Sequence, residues 1–394
     1  FDGGIWLFDA GECTQLQVQK NSWIHPKKVS RIFLTHAHGD HTFGLPGLLC
    51  AMGTDAERTD STPPIEIYGP EGIRMWLRTT LRYSATRVAP RYRVHELKQV
   101  PMSPESLRRK FGRGVTEVWE PYNAPGDWVT KAAQIDLPAD IQYGEVDGGR
   151  DIYPQYSHPD TVDGAPVYEL HHEEDEDNVK IYAAPMSHTI PCVGYVVEEQ
   201  SRLGRLRNEE MEPIVRRNLE ALRKDYPKPL SVLGVLKSLQ KGQNFTFPDG
   251  TVVRQEDAVE PSRKGRKVVI CGDTCSARAI AGVAMDADVL VHEATNAFLS
   301  VDEKQTNRVE VTRQAINHGH STPEMAGVFA RHIRAKRLFL HHFSGRYRGD
   351  AAAEAMSIMH EIERQAIERY QRSNVCAAWD LLYYPIPINK KEYL

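Results

Sequence analysis

Short apolar runs rich in β-branched residues recur along the chain, and polar residues with metal-binding or acid–base capacity follow each of them. The runs cover residues 29–34, 179–183, 267–271, 289–291 and 337–340. Runs of this length, bounded by turn residues, predict buried β-strands. Because histidine or carboxylate donors lie at the end of every run, the pattern predicts a sandwich of sheets with a functional site along one edge.

Three segments between these runs have helical character. Over residues 71–81 the apolar positions fall on one helical face. Thr322, Pro323 and Glu324 form a helix-start signal, since a capping hydroxyl is followed by proline and an acid in the first turn. Residues 351–372 predict a longer amphipathic helix that packs on a sheet face.

Residues 102–177 depart from this layered pattern, because they are rich in Pro, Gly and Asp and have weak periodicity. From 140 to 177 there are twelve acids and one arginine. This composition predicts an acidic insertion that is solvated and partly mobile. His171 and His172 lie within it and are interpreted as part of the solvated segment rather than as metal ligands.

A second unusual stretch is basic. Residues 201–241 contain ten Lys and Arg and five acids, a net charge of about +5. The pattern predicts a helix over 210–223, a proline-bounded turn, and an apolar segment over 230–237. One interpretation is an ordinary charged surface helix, and the other is an arm over 198–247 that holds a polyanion.

Composition narrows the class of protein. The 394 residues are 41% hydrophobic and 26% charged, enough for a substantial core in one large domain or two ordinary ones. The net charge of -4 gives no global basic signal, so any polyanion site must be a local patch. Six scattered cysteines without a Cys-x-x-Cys pair predict reduced thiols in an intracellular protein.

Targeting and membrane signals are sparse. No segment of the sequence approaches the length of a membrane span. The chain begins at Phe1, and we expect that its N-terminus is incomplete, which leaves a targeting peptide and the compartment open.

The densest set of donors follows the first apolar run. His36, His38, Asp40 and His41 lie within six residues, and imidazole with carboxylate suits zinc in a hydrolytic site. On an extended segment, residues two apart face the same way, so His36 and His38 are positioned to chelate one ion. Asp40 and His41 lie where the chain must turn and are positioned to reach a second ion. The alternative interpretation is a histidine-rich surface loop.

A site with two ions needs more ligands than this motif supplies. One ion lacks a third imidazole and the other lacks at least one donor, and a bridging carboxylate would help fix a separation of ~3.5–4 Å. The candidates are His188, Asp273 and either His341 or His342. Adjacent strand residues face opposite sides, so one of the last pair is expected to be a ligand, and the pattern does not choose between them.

The segment over residues 36–41 resembles the metal motif of the metallo-β-lactamase superfamily, and the surrounding sequence resembles the tRNase Z family. The segments that carry the second resemblance, in family order, are residues 6–15, 187–195, 272–274, 292–295, 320–322 and 342–347. The last of them begins at His342 and therefore selects His342 over His341.

The chain departs from the family pattern in several places. Cys13 stands where glycine is usual, and the family's first strand with its Gly-Thr segment is absent, which fits an incomplete N-terminus. The 102–177 insertion has no family counterpart. The basic stretch lies where short enzymes of the family carry a tRNA-clamping arm, but Gly234 lacks the proline of the arm's Gly-Pro signature.

The resemblance implies an α/β fold, the metallo-β-lactamase αββα sandwich, with a protruding basic arm over 198–247 and an acidic insertion over 102–177. Residues 1–394 would form a single hydrolase domain. The implied cofactors are two zinc ions per subunit, with manganese or iron as alternative occupants. The implied metal ligands are His36, His38, Asp40, His41, His188, Asp273 and His342.

The implied activity is that of a zinc-dependent endoribonuclease that removes the 3′ trailer of precursor tRNA. Metal-activated hydroxide would attack the phosphodiester and leave a 3′-hydroxyl on the tRNA. Asp40 would accept the water's proton, His320 would protonate the leaving oxygen, and Glu293 would orient His320. A helix N-terminus would lower the pKa of His320 and Glu293 would raise it, and the sequence does not decide which effect prevails.

The implied substrate contacts are Ser344, Arg346, Lys237 and Lys241, with a surface salt bridge as the alternative for Arg346. The expected partners are precursor tRNA and a second copy of the chain in a homodimer, with no membrane. One competing function is a phosphodiesterase of the same fold for small substrates, which would need no basic clamp. Another is a non-catalytic binding subunit, which would need no complete ligand set.

Overall fold

The computed structural model describes residues 4–52, 63–85, 90–111, 119–121, 144–170, 179–201, 204–240, 242–261 and 264–387. The chain divides into two compact units. The first contains Phe1–Glu198 and Lys267–Pro385, and the second contains Glu199–Arg266 and Ile386–Leu394. His171, His172, Lys241 and much of the 102–177 insertion lie outside the described residues.

The first unit begins with a parallel sheet. In chain order the first seven strands are β1 (Ile5–Phe8), β2 (Val29–Phe33), β3 (Ile65–Pro70), β4 (Tyr92–Leu97), β5 (Pro101–Met102), β6 (Glu120–Pro121) and β7 (Asp151–Ile152). Five of them form a sheet in the order β1-β2-β3-β4-β7, and every neighbouring pair is parallel. The short strands β5 and β6 pair with each other. The apolar run over 29–34 is therefore confirmed as a strand.

A second, mixed sheet completes the sandwich. The remaining strands are β8 (Tyr168–Glu169), β9 (Val179–Met186), β10 (Cys192–Glu199), β11 (Asn244–Thr246), β12 (Val252–Arg254), β13 (Lys267–Ile270), β14 (Val289–Glu293), β15 (Leu338–His341) and β16 (Val375–Ala377). Seven of them form a sheet in the order β16-β15-β14-β13-β10-β9-β8. Strands β13 to β16 are parallel, and β10 is antiparallel to β13. The other four predicted strands all lie in this sheet.

Thirteen α-helices occur within the described residues. They are α1 (Thr14–Lys20), α2 (Gly39–Thr42), α3 (Leu45–Met52), α4 (Ile73–Tyr83), α5 (Pro104–Phe111), α6 (Asn208–Arg217), α7 (Leu219–Leu222), α8 (Val232–Ser238), α9 (Gln255–Ala258), α10 (Ala281–Ala284), α11 (Arg308–Asn317), α12 (Pro323–His332) and α13 (Ala353–Tyr370). Four short 3-10 helices cover Pro26–Lys28, Pro229–Ser231, Arg278–Ile280 and Ser300–Asp302.

The predicted helix starts are close to the observed ones. Thr322 caps α12, because its side chain accepts a hydrogen bond from the Met325 backbone N–H. The helix predicted over 71–81 begins later, at Ile73, because Gly72 has a left-handed conformation with φ 101°. The long helix predicted over 351–372 is α13, two residues shorter at each end.

Three hydrophobic clusters establish the order of the layers. Helices α3 and α4 pack on the first sheet through Leu45, Leu49 and Leu77, which cluster with Ile32 and Ile67. Since side chains alternate along a strand, Phe33 of β2 faces the other way, into the space between the two sheets.

The second and third clusters complete the sandwich. Between the sheets, Phe33 stacks on Tyr68 with ring centroids 5.0 Å apart and meets Tyr195 of the second sheet at 5.3 Å. On the outer face of the second sheet, Leu338 clusters with Phe329 of α12 and with Ile362 of α13. Helices, sheet, sheet and helices therefore follow one another, and the predicted αββα sandwich is confirmed.

Parts of the acidic stretch belong to this sandwich. Strand β7 pairs with β4 at the edge of the first sheet, and β8 pairs with β9 at the edge of the second. Tyr168 is fully buried between the sheets. The prediction of a solvated insertion is therefore wrong for these segments, because their few apolar side chains occupy the core.

The second unit has a core of its own. It contains α6 to α9 and the hairpin of β11 and β12, and its buried side chains include Val215, Val232 and Leu236. The helix predicted over 210–223 is divided at Asn218 into α6 and α7. The Asn218 side chain donates to the Ile214 carbonyl and accepts from the Asp249 backbone N–H, and these bonds compete with a continuous helix.

Within the part of the chain that the structure describes, every helix is too short or too polar to cross a bilayer. The six cysteines are all free thiols, as the sequence predicts.

Candidate metal centre

The predicted donor side chains meet at the edge where strands of both sheets end. His36 and His38 follow β2, and Asp40 and His41 lie on α2 in the next turn. The second sheet contributes His188 after β9, Asp273 after β13 and His342 after β15. The structure therefore brings together all seven residues that were predicted as ligands, from segments more than 300 residues apart in the chain.

One group of donors consists of His36, His38, His188 and Asp273, whose ligand atoms all lie within 4.8 Å of one another. His38 Nδ1 lies 3.0 Å from His36 Nε2 and 3.3 Å from His188 Nε2. Asp273 Oδ2 lies 3.8 Å from His36 Nε2 and 3.9 Å from His188 Nε2. Three imidazoles and a carboxylate in this arrangement match the ligand types and number of a four-coordinate zinc site.

A second group consists of Asp40, His41 and His342. Asp40 Oδ2 lies 3.3 Å from His342 Nε2 and 3.6 Å from His41 Nε2. Asp273 also faces this group, since its Oδ1 lies 3.5 Å from His41 Nε2 and its Oδ2 lies 3.3 Å from His342 Nε2. One buried carboxylate thus lies between two sets of donors, the location that a bridging ligand requires.

Two buried atoms at this centre test whether a cation fits. His41 Nε2 and Asp273 Oδ1 are buried, and neither has a hydrogen-bond partner among the described residues. Buried polar atoms without partners are costly, and a metal ion between these two would satisfy both. The residues present therefore fit a bound metal.

The protonation of the imidazoles supports the same conclusion. Burial lowers the pKa of His36 well below its ordinary value, helped by the neighbouring His41. Burial lowers the pKa of His188 to about 4. Both rings are therefore neutral at physiological pH and have a nitrogen lone pair for a metal.

His41 and Asp273 differ from these rings. Burial alone would lower the pKa of His41, but the carboxylates of Asp273 and Asp9 raise it to about 10. Burial alone would raise the pKa of Asp273, but its imidazole neighbours hold it well below the usual range. Because a metal ligand must be deprotonated, binding of a cation would displace the His41 proton and take over its charge.

Two threonine hydroxyls fix the tautomers of ligand candidates, and the sequence pattern did not identify them. Thr35 donates its hydroxyl hydrogen to Asp9 at 2.8 Å, so its oxygen accepts from His36 Nδ1 at 2.9 Å. Thr295 donates to Glu293 at 2.5 Å and accepts from His342 Nδ1 at 2.9 Å. In both rings the proton is held on Nδ1, and the Nε2 lone pair faces the donor cluster.

Asp9 and a backbone carbonyl complete this outer set of contacts. His188 Nδ1 donates to the Gly319 carbonyl at 2.9 Å. Asp9 accepts from His41 Nδ1 at 2.7 Å and from the Thr35 backbone N–H at 2.7 Å. The available signal for Asp9 was its position directly after the apolar strand β1. Pairing of β1 with β2 places this carboxylate beside the histidine motif, where it serves as an outer partner of a candidate ligand.

Asp9→Asn is expected to weaken zinc binding by about 10- to 100-fold, the usual effect of losing an outer partner of a ligand. Asparagine tolerates the left-handed backbone of Asp9, which has φ 58°, so the fold should persist. Asp9 accepts from the Thr35 backbone N–H through Oδ1 and from His41 Nδ1 through Oδ2, and asparagine has only one acceptor oxygen for these two donors. One of the two contacts is therefore lost, and the Asp9 side chain no longer fixes the His41 ring as firmly. Zinc dissociation constants measured by competition with a chromogenic chelator test this, and unchanged affinity would contradict the assigned role.

His320 and Glu293 form a pair beside the donor groups. His320 Nδ1 lies 3.1 Å from Glu293 Oε1, which also accepts from the Thr274 backbone N–H at 2.6 Å. Burial alone would lower the pKa of His320, but the hydrogen bond to Glu293 and its charge raise it above the ordinary value. A ring whose pKa is raised in this way keeps its proton to a higher pH than a free imidazole, which suits it to protonate a leaving group.

The location of His320 would also allow a role as a metal ligand. Its ring lies close enough to Asp273 and His342 to form a third group of donors. However, Nδ1 is the atom that lies nearest the carboxylates, 3.7 Å from Asp273 Oδ2 and 3.1 Å from Glu293. This nitrogen is bonded to Glu293 and is therefore less available to a metal ion. We accordingly keep the prediction that His320 is the proton donor.

The strand end explains how His341 and His342 differ. His341 is the last residue of β15, and burial lowers the pKa of its ring to about 4. His342 has a left-handed backbone with φ 56°, which turns its ring towards Asp273. The resemblance had selected His342, and the geometry gives the physical reason.

The predicted substrate contacts belong to different units, with Ser344 and Arg346 in the first and Lys237 in the second. The Arg346 guanidinium bonds to Asp302 at 2.9 Å and to the Ala297 carbonyl at 2.5 Å, the geometry of the salt-bridge alternative. The Ser344 backbone N–H donates to the Thr295 carbonyl. Lys237 is exposed on α8 of the second unit, and Lys241 is outside the described residues. The substrate role of all four remains a prediction.

Comparison with protein-family models shows the structural class of the protein. Residues 6–110 match the family model described as "Beta-lactamase superfamily domain". Together with the αββα sandwich and the donor groups, this match defines a protein of the metallo-β-lactamase fold.

Proteins that align with almost the full length of this chain show its family. The chain is 33% identical over 400 residues to mouse "Zinc phosphodiesterase ELAC protein 1", covering 99% of this chain and 92% of that protein. It is 29% identical over 383 residues to Bacillus subtilis "Ribonuclease Z", covering 97% of this chain and 89% of that protein. The crystal structure of human tRNase Z, short form, aligns with a TM-score of 0.53 at 26% identity, covering 98% of this chain and 90% of that one. The chain belongs to the tRNase Z (ribonuclease Z) family, as the sequence motifs predicted.

Proposed function

We propose that this protein is a zinc-dependent endoribonuclease that removes the 3′ trailer from precursor tRNA. The observation that carries the proposal is the pair of donor groups that share Asp273, in a chain 33% identical to a zinc phosphodiesterase and 29% identical to a ribonuclease Z. His36, His38 and His188 with Asp273 would hold one ion. Asp40, His41 and His342 with Asp273 would hold the other.

The chain's own residues support hydrolysis of a phosphodiester. When bound, zinc acidifies water and neutralises charge that develops on phosphate oxygens. Asp40 has a side chain that is 57% exposed, and we assign it as acceptor of the proton of the attacking water. His320, held by Glu293, donates a proton to the 3′-oxygen that leaves. Protonation matters because an alkoxide of the ribose is a poor leaving group.

The test is incubation of the purified protein with a precursor tRNA that carries a 3′ trailer. We expect a single cut that leaves a 3′-hydroxyl on the tRNA and a 5′-phosphate on the trailer. Removal of metal by a chelator should abolish cleavage and added zinc should restore it, with two zinc ions per chain by elemental analysis. Failure to cut the precursor, with full hydrolysis of a small diester, would favour the small-substrate phosphodiesterase instead.

We further propose that the second unit holds the tRNA and that the protein acts as a homodimer. The basic stretch of this unit has exposed cations at Arg223, Lys224, Lys228 and Lys237. An exposed cluster of positive charge suits the phosphate backbone of RNA. Sedimentation of the full chain tests the dimer, and a monomer at working concentration would contradict it.

Replacing these four cations with glutamine should raise the Michaelis constant for precursor tRNA and leave hydrolysis of a small diester unchanged. Since each lost phosphate contact removes about 0.7 to 0.9 from the slope of log binding against log salt, loss of four contacts should make the slope shallower by roughly 3 to 4. Steady-state cleavage between 50 and 200 mM salt measures both quantities.

A control variant separates a local effect from a change in net charge. It carries glutamine at four exposed cations of the first unit, Lys20, Lys28, Lys304 and Arg364. The control should keep the steep salt dependence. Equal changes in the two variants would argue against a substrate-binding role for the second unit.

A further inference from the structure

An apolar pocket of about 480 Å³ is lined in part by His36 and His38, and the roles assigned above to the metal ligands and to His320 do not involve its apolar walls. Its walls include Phe43, Trp76 and Ile190. The volume lies within the ~300–1,000 Å³ typical of small-ligand pockets. Because two of the candidate ligands line the pocket, a group bound in it lies next to the reacting phosphate.

Two aromatic side chains give the pocket its flat surfaces. The Phe43 side chain is 60% exposed, although its ring lies close over Gly39, where an added Cβ would fall 2.5 Å from a ring carbon. Trp76 is partly buried, since it packs against the core cluster under the first sheet. A large aromatic ring fixed from behind and open on one side is a platform for another flat ring.

The charge of the pocket suits a neutral ligand. Glu71 contributes a carboxylate to the lining, but Lys98 forms an ion pair with it and the Gln99 backbone N–H donates to it at 3.1 Å. The other walls include Ile190, Pro191 and Ile73, which are apolar. An apolar pocket with aromatic walls and a neutralised carboxylate fits a nucleobase better than it fits a phosphate or a sugar.

The position of His320, the proposed proton donor, indicates which nucleotide contributes the nucleobase in the pocket. The leaving 3′-oxygen belongs to the last nucleotide of the tRNA, so that nucleotide must approach His320. His320 and its partner Glu293 are not among the residues that line the pocket. The nucleotide on the other side of the scissile phosphate is the first of the trailer, attached through its 5′-oxygen, and it extends away from His320.

We propose that this pocket receives the nucleobase of the first trailer nucleotide, stacked on Trp76 and flanked by Phe43. The inference rests on the proposed function and names a specificity element within it. Stacking on an aromatic ring accepts any of the four bases, because each has a π face. The pocket therefore orders the trailer strand at the scissile phosphate with little preference for its sequence.

The experiment is a double-mutant cycle between Trp76 and the base. The substrates are one precursor tRNA with a normal nucleotide at the first trailer position and one with an abasic nucleotide there. Trp76→Ala should lower kcat/KM on the normal substrate by roughly 5- to 100-fold, the range expected for loss of one stacked base. On the abasic substrate the same variant should equal the wild type, because the partner ring is already absent.

Two further variants separate stacking from folding. Trp76→Phe keeps a π face and should recover most of the activity on the normal substrate. Tyr83→Ala removes an aromatic side chain that is 94% exposed at the end of the same helix. This variant should leave kcat/KM unchanged on both substrates. Recovery with phenylalanine distinguishes stacking from a general loss of α4 packing.

A third substrate fixes the identity of the base. It is abasic at the last nucleotide of the tRNA, and the Trp76→Ala effect on it should be as large as on the normal substrate. Loss of the Trp76 effect with this substrate would overturn the assignment to the trailer. Equal effects on all three substrates would overturn the stacking contact, while cleavage by the wild type would still support the proposed function. A wild type that cuts no precursor tRNA would overturn both.

Discussion

Asp273→Asn is expected to lower the rate of precursor-tRNA cleavage by at least about 10³-fold and to reduce bound zinc. The Asp273 carboxylate is buried and faces both donor groups, so a neutral amide removes a ligand from each. It also leaves several buried imidazoles without their shared negative charge. Loss of several kcal/mol of transition-state stabilisation by the metal ions corresponds to at least this decrease in rate. Single-turnover cleavage and elemental analysis of the same sample measure both effects.

Asp288→Asn is the matched control. Asp288 is also a buried carboxylate, directly before β14, but it accepts from the Lys267 backbone N–H and pairs with Lys336 rather than with histidines. The control should keep its zinc and its cleavage rate even if it unfolds at a lower temperature. An Asp273→Asn protein with full zinc content and normal cleavage would refute the shared-ligand assignment.

The parts of the fold that the sequence predicted are those that local pattern determines. The runs at 29–34 and 289–291 became strands because β-branched residues bounded by turns have few other stable conformations. The start of α12 was predictable because Thr322 and Pro323 act within one turn of the helix. The donors at strand ends were predictable for the same reason, since each lies next to its strand in sequence.

The parts that were missed depend on contacts between distant residues. Asp9 lies 32 residues from His41, and no spacing rule connects them. Thr295 is significant because it joins Glu293 to His342, 47 residues further along the chain. Asn218 divides a predicted helix because it binds Asp249, 31 residues away. Each of these residues acts through a partner that only the tertiary fold brings close.

The acidic stretch was misjudged for a related reason. Composition describes an average over residues 140–177, and that average is polar. Two short strands, β7 and β8, nevertheless add to the edges of the sheets, because backbone pairing needs only a few residues. A single large side chain, Tyr168, is sufficient to extend the core between the sheets.

His320→Ala is expected to lower cleavage of precursor tRNA by about 10²- to 10⁴-fold, the usual contribution of a general acid. Zinc content should not change, because the ring is held by Glu293 rather than assigned to an ion. His318→Ala is the control, since His318 is exposed two residues away and its ring donates to the Gln314 carbonyl rather than to a group of the metal centre. That variant should behave as the wild type.

The leaving group decides whether His320 acts as an acid. A diester that releases p-nitrophenolate needs little protonation, because this anion is far more stable than a ribose alkoxide. His320→Ala should therefore lose much less activity on such a diester than on precursor tRNA. Equal losses on the two substrates would show that His320 acts on the attacking water or on metal binding. A fall in zinc content would support the second of these, since His320 lies close to Asp273 and His342. If the loss is confined to the poor leaving group, the His320–Glu293 pair supplies the proton that completes the cleavage.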